Sequence, residues 1–102
     1  MAELLDETAV TKALGDLPGW SREGDALVRT AKLPSFPAAI QAVDLVADIA
    51  ESRDHHPDID IRWRNLTFRL STHSAGGITD LDVTLAAAIS GVIESVSASG
   101  SG

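Results

Sequence analysis

The chain has 102 residues, a formal charge of -7 at neutral pH and no cysteine. That length points to one domain with a real but small hydrophobic core, for which association with further copies would help. Dispersed acidity argues against direct binding to nucleic acid or to an anionic membrane, and the missing cysteines exclude disulfides, thiolate nucleophiles and cysteine-ligated metal centres.

Glu3, Asp6 and Glu7 stand where a secretory leader would carry positive charge, and no apolar run is expected to approach membrane-spanning length, so the cytoplasm is the expected location. From Asp6 to Leu17 the apolar residues Val10, Ala13, Leu14 and Leu17 fall at helical spacing, with Asp6 as N-cap and Pro18-Gly19 as the stop. The stretch from Trp20 to Leu33, interrupted at Glu23-Gly24-Asp25, predicts a hairpin. Ser35 caps a second helix with Pro37 in its first turn and Phe36, Ala39, Ile40, Val43, Ala47 and Ala50 on one face.

That helix is expected to end between Arg53 and His55, because Pro57 disfavours helix for His56. If its last turn persists, Glu51 and His55 share a face four residues apart. Next, Ile59, Ile61 and Trp63 alternate with polar residues, as do Leu66, Phe68 and Leu70, the pattern of two half-buried antiparallel strands. A turn at Arg64-Asn65 pairs Trp63 with Leu66, Ile61 with Phe68, Ile59 with Leu70 and Asp60 with Arg69; extended outward it sets His56 opposite His73. After Gly76-Gly77, the capping box Thr79-Asp80-Leu81-Asp82 opens a third helix with Leu81, Leu85, Ala88, Ile89, Val92 and Val96 inside, and residues 97–102 form a small polar tail expected to fray. The whole predicts a single α+β domain over residues 1–102, order α-β-β-α-β-β-α, in which a four-stranded antiparallel sheet carries its helices on one face.

Three histidines in one neighbourhood, with Glu51 and Asp54 beside them, have the ingredients of acid-base chemistry or of a metal site. The alternative for His55 and His56 is a pair of solvated loop residues. A zinc or iron site is the sharper rival, but adjacent His55 and His56 point differently in extended chain and no helix-borne His-x-x-x-His frame is present. Asp82 has a structural task as a helix cap. Trp20 and Trp63 are read as core residues, with Trp63 the nearer of the two to serve as a stacking platform.

The succession Glu51, His55-His56-Pro57, Trp63, His73 and Asp82 resembles the signature of the pterin-4a-carbinolamine dehydratases (4a-hydroxytetrahydrobiopterin dehydratases). Ser71-Thr72-His73 and Gly76-Gly77-Ile78-Thr79 look like that family's second half-motif, and Leu17-Pro18-Gly19-Trp20 falls where the family has its early tryptophan. The resemblance implies the same fold and a lyase that removes water from a tetrahydropterin 4a-carbinolamine without metal or cofactor. It implies His55 and His73 as an acid-base pair, with His56 orienting the pterin and sharing proton transfer. Glu51, His55, His56, Pro57, Thr72, His73, Ser74 and Ala75 would contact substrate, while Asp82 and Trp63 serve structure. Homodimers or homotetramers, an aromatic amino-acid hydroxylase in the same pathway and, as a non-catalytic alternative, a coactivator-type binding role are the partners it suggests. One departure stands out: Asp58-Ile59-Asp60-Ile61-Arg62 lacks the aromatic residues many members carry there.

Overall fold

The computed structural model describes residues 3–100, with side chains through Ala98. Helix α1 (Glu7–Gly15) starts where Asp6 accepts a 2.8 Å bond from the Ala9 amide. Strands β1 (Ser21–Glu23) and β2 (Ala26–Lys32) form the first hairpin, α2 (Phe36–Arg53) follows, β3 (Asp58–Arg62) and β4 (Asn65–Leu70) form the second, and α3 (Asp80–Gly100) closes the chain. Helix α3 therefore runs into the segment expected to fray; Ser101 and Gly102 lie outside the described residues.

All three strand pairs are antiparallel, in the order β1-β2-β4-β3. Leu27 and Ala31 of β2 and Leu66, Phe68 and Leu70 of β4 point to one face, where Leu85, Ala86, Ile89, Val92, Ile93 and Val96 of α3 meet them. The other face carries polar residues such as Thr30 and Thr67, whose hydroxyls bond at 2.9 Å. This is the expected α+β domain with its helices on one side. Trp20 belongs to the core, and its indole N–H donates to Ser90 Oγ at 2.9 Å, as does the Arg29 guanidinium.

Five expectations need correction. The second hairpin turns at Trp63-Arg64, pairing Arg62 with Asn65, Ile61 with Leu66, Ile59 with Phe68 and Asp58 with Arg69. This register is offset by two residues from the predicted one, so each side chain keeps its face while every opposing partner changes. Asn65 is claimed by the neighbouring strand, opposite Lys32, and Leu33 N–H donates to Arg64 O at 2.8 Å, which leaves the turn to the two residues before it. Trp63 consequently adopts φ 56°, uncommon for a bulky residue, and is no core residue: it is 64% exposed, with the Arg64 guanidinium 4.4 Å from its ring.

On α2 the buried residues are Ala38, Ala39, Ala42, Val46 and Ala50, while Phe36 is 48% exposed and Ala47 faces solvent. Small side chains, not the bulkier set, let the helix sit close to its neighbours. On α3, Leu81 is exposed and Ala86 and Ile93 join the inner face. Finally, Asp80–Ala98 is long and apolar enough to cross a membrane by composition, with mean hydropathy 1.4. Its apolar side chains instead supply the core, and its first turn buries the carboxylate of Asp82.

Phe68 fills the middle of this core with no exposure, so Phe68→Ala should lower unfolding free energy by about 3–5 kcal/mol in urea titrations. Phe36→Ala, at the exposed start of α2, should cost about 0.5 kcal/mol or less, the reverse of what helical periodicity alone implies.

Candidate functional site

Helix α2 stops because Asp54 takes the left-handed conformation at φ 49°, a geometry that aspartate tolerates, and His55 N–H closes back on Ala50 O at 3.1 Å. Pro57 prevents any resumption. The reversal at Asp54 sends the two neighbouring imidazoles different ways. His55 turns inward, its Nε2 2.6 Å from Asp82 Oδ1, while His56 folds back over the helix end, its Nε2 2.8 Å from Glu51 Oε1. The expected pairing of Glu51 with His55 is therefore replaced by one with His56.

His73 arrives on a tight loop. Thr72 and Gly77 pair as an isolated antiparallel bridge, Gly76 supplies φ 80°, and Thr72 O accepts the amides of Ala75 and Gly76 at 3.0 and 2.9 Å. Continued outward, the observed register would set His56 opposite Ser71, so His73 is not its direct cross-strand partner. The loop nonetheless brings His73 to the same place: a cleft of about 450 Å³ is lined by Asp54, His55, His56, Pro57, Asp58, Ser71, Thr72, His73, Ser74 and Leu81.

Of the residues expected to contact a ligand, His55, His56, Pro57, Thr72, His73 and Ser74 share this lining. Glu51 reaches it through His56, and Ala75 belongs to the loop but is outside the lining. Trp63 lies at the far end of β3, whose five residues rise about 3.3 Å each. Leu81 and Pro57 give the cleft apolar surface; periodicity had assigned Leu81 to the core.

Asp82 does more than cap. It is fully buried at the third position of α3, where the helix N-terminus favours negative charge. Its Oδ2 accepts the Thr79 amide at 2.9 Å, the reciprocal bond of a capping box, and also the Thr72 hydroxyl at 2.8 Å, leaving Oδ1 to His55. Oδ2 thus has two donors already, and Oδ1 faces the imidazole alone. His55 Nδ1 has no hydrogen-bond partner among the described residues and is not sealed from solvent; the ring, 12% exposed, lines the cleft. A buried carboxylate holding one face of an imidazole whose other nitrogen opens on a cleft is equipped to move protons. His56 and His73 are exposed and stand beside it. Among the described residues no three His, Asp or Glu side chains converge closely enough to hold a metal ion.

Fold and site together define a small α+β protein with a histidine-lined cleft fit for acid-base chemistry on a small molecule. Over residues 3–92 the sequence matches the family described as pterin 4 alpha carbinolamine dehydratase, and the chain belongs to that family. A relative from Nocardia farcinica (strain IFM 10152), provisionally named a pterin-4-alpha-carbinolamine dehydratase, is 60% identical over 82% of this chain and 88% of its own length. One from Mycobacterium avium (strain 104), named in the same way, is 57% identical over 93% of this chain and its own full length. The crystal structure of a transcriptional coactivator/pterin dehydratase from Brucella melitensis superposes with TM-score 0.85 at 31% identity, covering 87% of this chain and 97% of that one. A pterin dehydratase-like protein identified as a RuBisCO assembly factor in the alpha-carboxysome shares the fold, with TM-score 0.60 at 16% identity over 72% of this chain and 86% of that one.

Asp82→Ala leaves the Thr79 amide, the Thr72 hydroxyl and His55 without their acceptor and should cost about 3–5 kcal/mol in denaturant unfolding. Glu51→Gln, at a pair whose side chains are 56% and 82% exposed, should change stability by about 0.5 kcal/mol or less.

Proposed function

We propose that the chain is a dehydratase acting on a tetrahydropterin 4a-carbinolamine, 4a-hydroxytetrahydrobiopterin or a close relative, and releasing water and quinonoid dihydropterin. The observation that carries this reading is His55, anchored through Nε2 on buried Asp82 and open through Nδ1 to a cleft that also holds His56 and His73. Breaking the C4a–O bond requires a proton on the departing hydroxyl oxygen, and the resulting cation is relieved when a pterin ring nitrogen gives up its proton. One proton is donated and one accepted, so the histidines return to their starting state once the two are exchanged. Imidazoles titrate near neutrality and serve both steps, with His55 and His73 on separate segments as the acid-base pair and His56, restrained by Glu51, orienting the ring. Pro57 and Leu81 provide apolar contact, and Ser74 and the loop after Thr72 provide polar contact. No metal or cofactor enters this scheme.

Family membership makes a homodimer or homotetramer the proposed working form, in the cytoplasm, downstream of a reaction that forms the carbinolamine, such as an aromatic amino-acid hydroxylase. A second reading, a binding module of coactivator type, is favoured by the double description of the Brucella melitensis structure. It requires a stoichiometric partner whose capture survives replacement of His55, His56 and His73.

Stopped-flow decay of freshly generated 4a-hydroxytetrahydropterin decides between them. The wild-type protein should accelerate decay well above buffer, with His55→Ala and His73→Ala each losing about 10²-fold or more of that gain. A wild-type rate equal to buffer contradicts the dehydratase reading.

A further inference from the structure

Four buried or half-buried groups around Asp82 form a chain of hydrogen bonds whose direction follows from chemistry alone. The Thr79 amide can only donate, and it donates to Asp82 Oδ2 at 2.9 Å. The Thr72 hydroxyl, 2.8 Å from the same oxygen, must spend its single proton there. In its 2.7 Å contact with Thr79 Oγ1, Thr72 is therefore the acceptor and Thr79 the donor. Thr79 Oγ1 in turn accepts the Leu81 amide at 3.2 Å. Protons thus point one way, from Leu81 N–H to Thr79, to Thr72, to Asp82. Thr72 is 4% exposed, and Thr79 and Asp82 are not exposed at all, so water does not compete to reverse the order.

We infer that Thr72 and Thr79 are positioning residues: through Asp82 they hold His55 as the Nε2–H imidazole, so that Nδ1 is the atom through which His55 exchanges protons in the cleft. With Oδ2 saturated by two donors, Oδ1 is left to the imidazole, and an Nδ1–H tautomer would set two acceptors 2.6 Å apart. Thr72 has a second task, because its carbonyl accepts the Ala75 and Gly76 amides that shape the loop bearing His73. A hydroxyl committed to Asp82 is not free to bind substrate, so Thr72 acts at the cleft through its neighbours. Thr79 reaches the site only through Thr72 and Asp82. The catalytic consequence rests on the dehydratase reading; the tautomer does not.

Two-bond ¹H–¹⁵N correlation spectra of ¹⁵N-histidine protein, recorded above the imidazole titration and assigned with His56→Gln and His73→Gln, show which nitrogen carries the proton. Wild-type His55 should carry it on Nε2. In Asp82→Asn the Thr79 amide and Thr72 hydroxyl keep the amide oxygen at the Oδ2 position, so the NH₂ group faces His55 and the proton should move to Nδ1, with the helix cap intact. Thr72→Val leaves Asp82 an acceptor, so the proton should stay on Nε2, but the less firmly held carboxylate should lower kcat by about 10-fold or more with KM altered less than about twofold, and Thr72→Ser should restore kcat. A wild-type proton on Nδ1, an unchanged pattern in Asp82→Asn, or an unchanged kcat in Thr72→Val overturns the inference. If a variant fails to fold, the wild-type spectrum alone still decides which nitrogen is protonated. Catalysis absent from a wild type that shows the Nε2–H tautomer would instead count against the dehydratase reading alone.

Discussion

A single buried carboxylate organises this protein's working end. Asp82 sits out of reach of solvent, where an unpaired charge would cost several kcal/mol, and it is tolerated because each lone-pair direction that matters has a donor. Those donors come from three separate segments: the start of α3, the strand end at Thr72 and the helix end at His55. Satisfying one side chain therefore fixes how α2, the second hairpin and α3 meet. The cleft is a consequence of that junction.

The junction also differentiates three chemically identical side chains. His55 is tied to a buried acceptor, His56 to an exposed carboxylate, and His73 rides on a loop held by backbone bonds to Thr72. One imidazole is fixed in ring orientation and tautomer while two remain adaptable at the rim. A reaction needing both a proton donor and a proton acceptor gains from that asymmetry, since neighbouring histidines in equivalent surroundings would compete for the same role.

Much of the fold was legible because its signals are local. Asp6, Ser35 and Thr79 cap helices where their sequence contexts placed them, and period-two alternation marked β3 and β4. What failed depends on neighbours that a segment cannot see. The register of the second hairpin is set partly by β2, which claims Asn65, so the turn falls on Trp63, a residue no turn rule would choose. On α2, apolar residues occur around much of the helix, and periodicity favoured bulk where close packing selects alanine.

For the site, composition brought the three histidines to notice and the family resemblance gave them roles, but their wiring was hidden. The expected Glu51–His55 contact assumed a helix continuing to His55, whereas the left-handed turn at Asp54 exchanges the partners. Asp82 was recognisable as a cap, and a capping carboxylate has a second oxygen; asking what that oxygen binds would have led to His55. The most direct test is a crystal structure with a stable dihydropterin analogue. The analogue's ring should lie in the cleft within hydrogen-bond reach of His55 Nδ1, with Nε2 still on Asp82; an analogue bound elsewhere, or a His55 ring swung off Asp82 to meet it, would contradict the central role given to that pair.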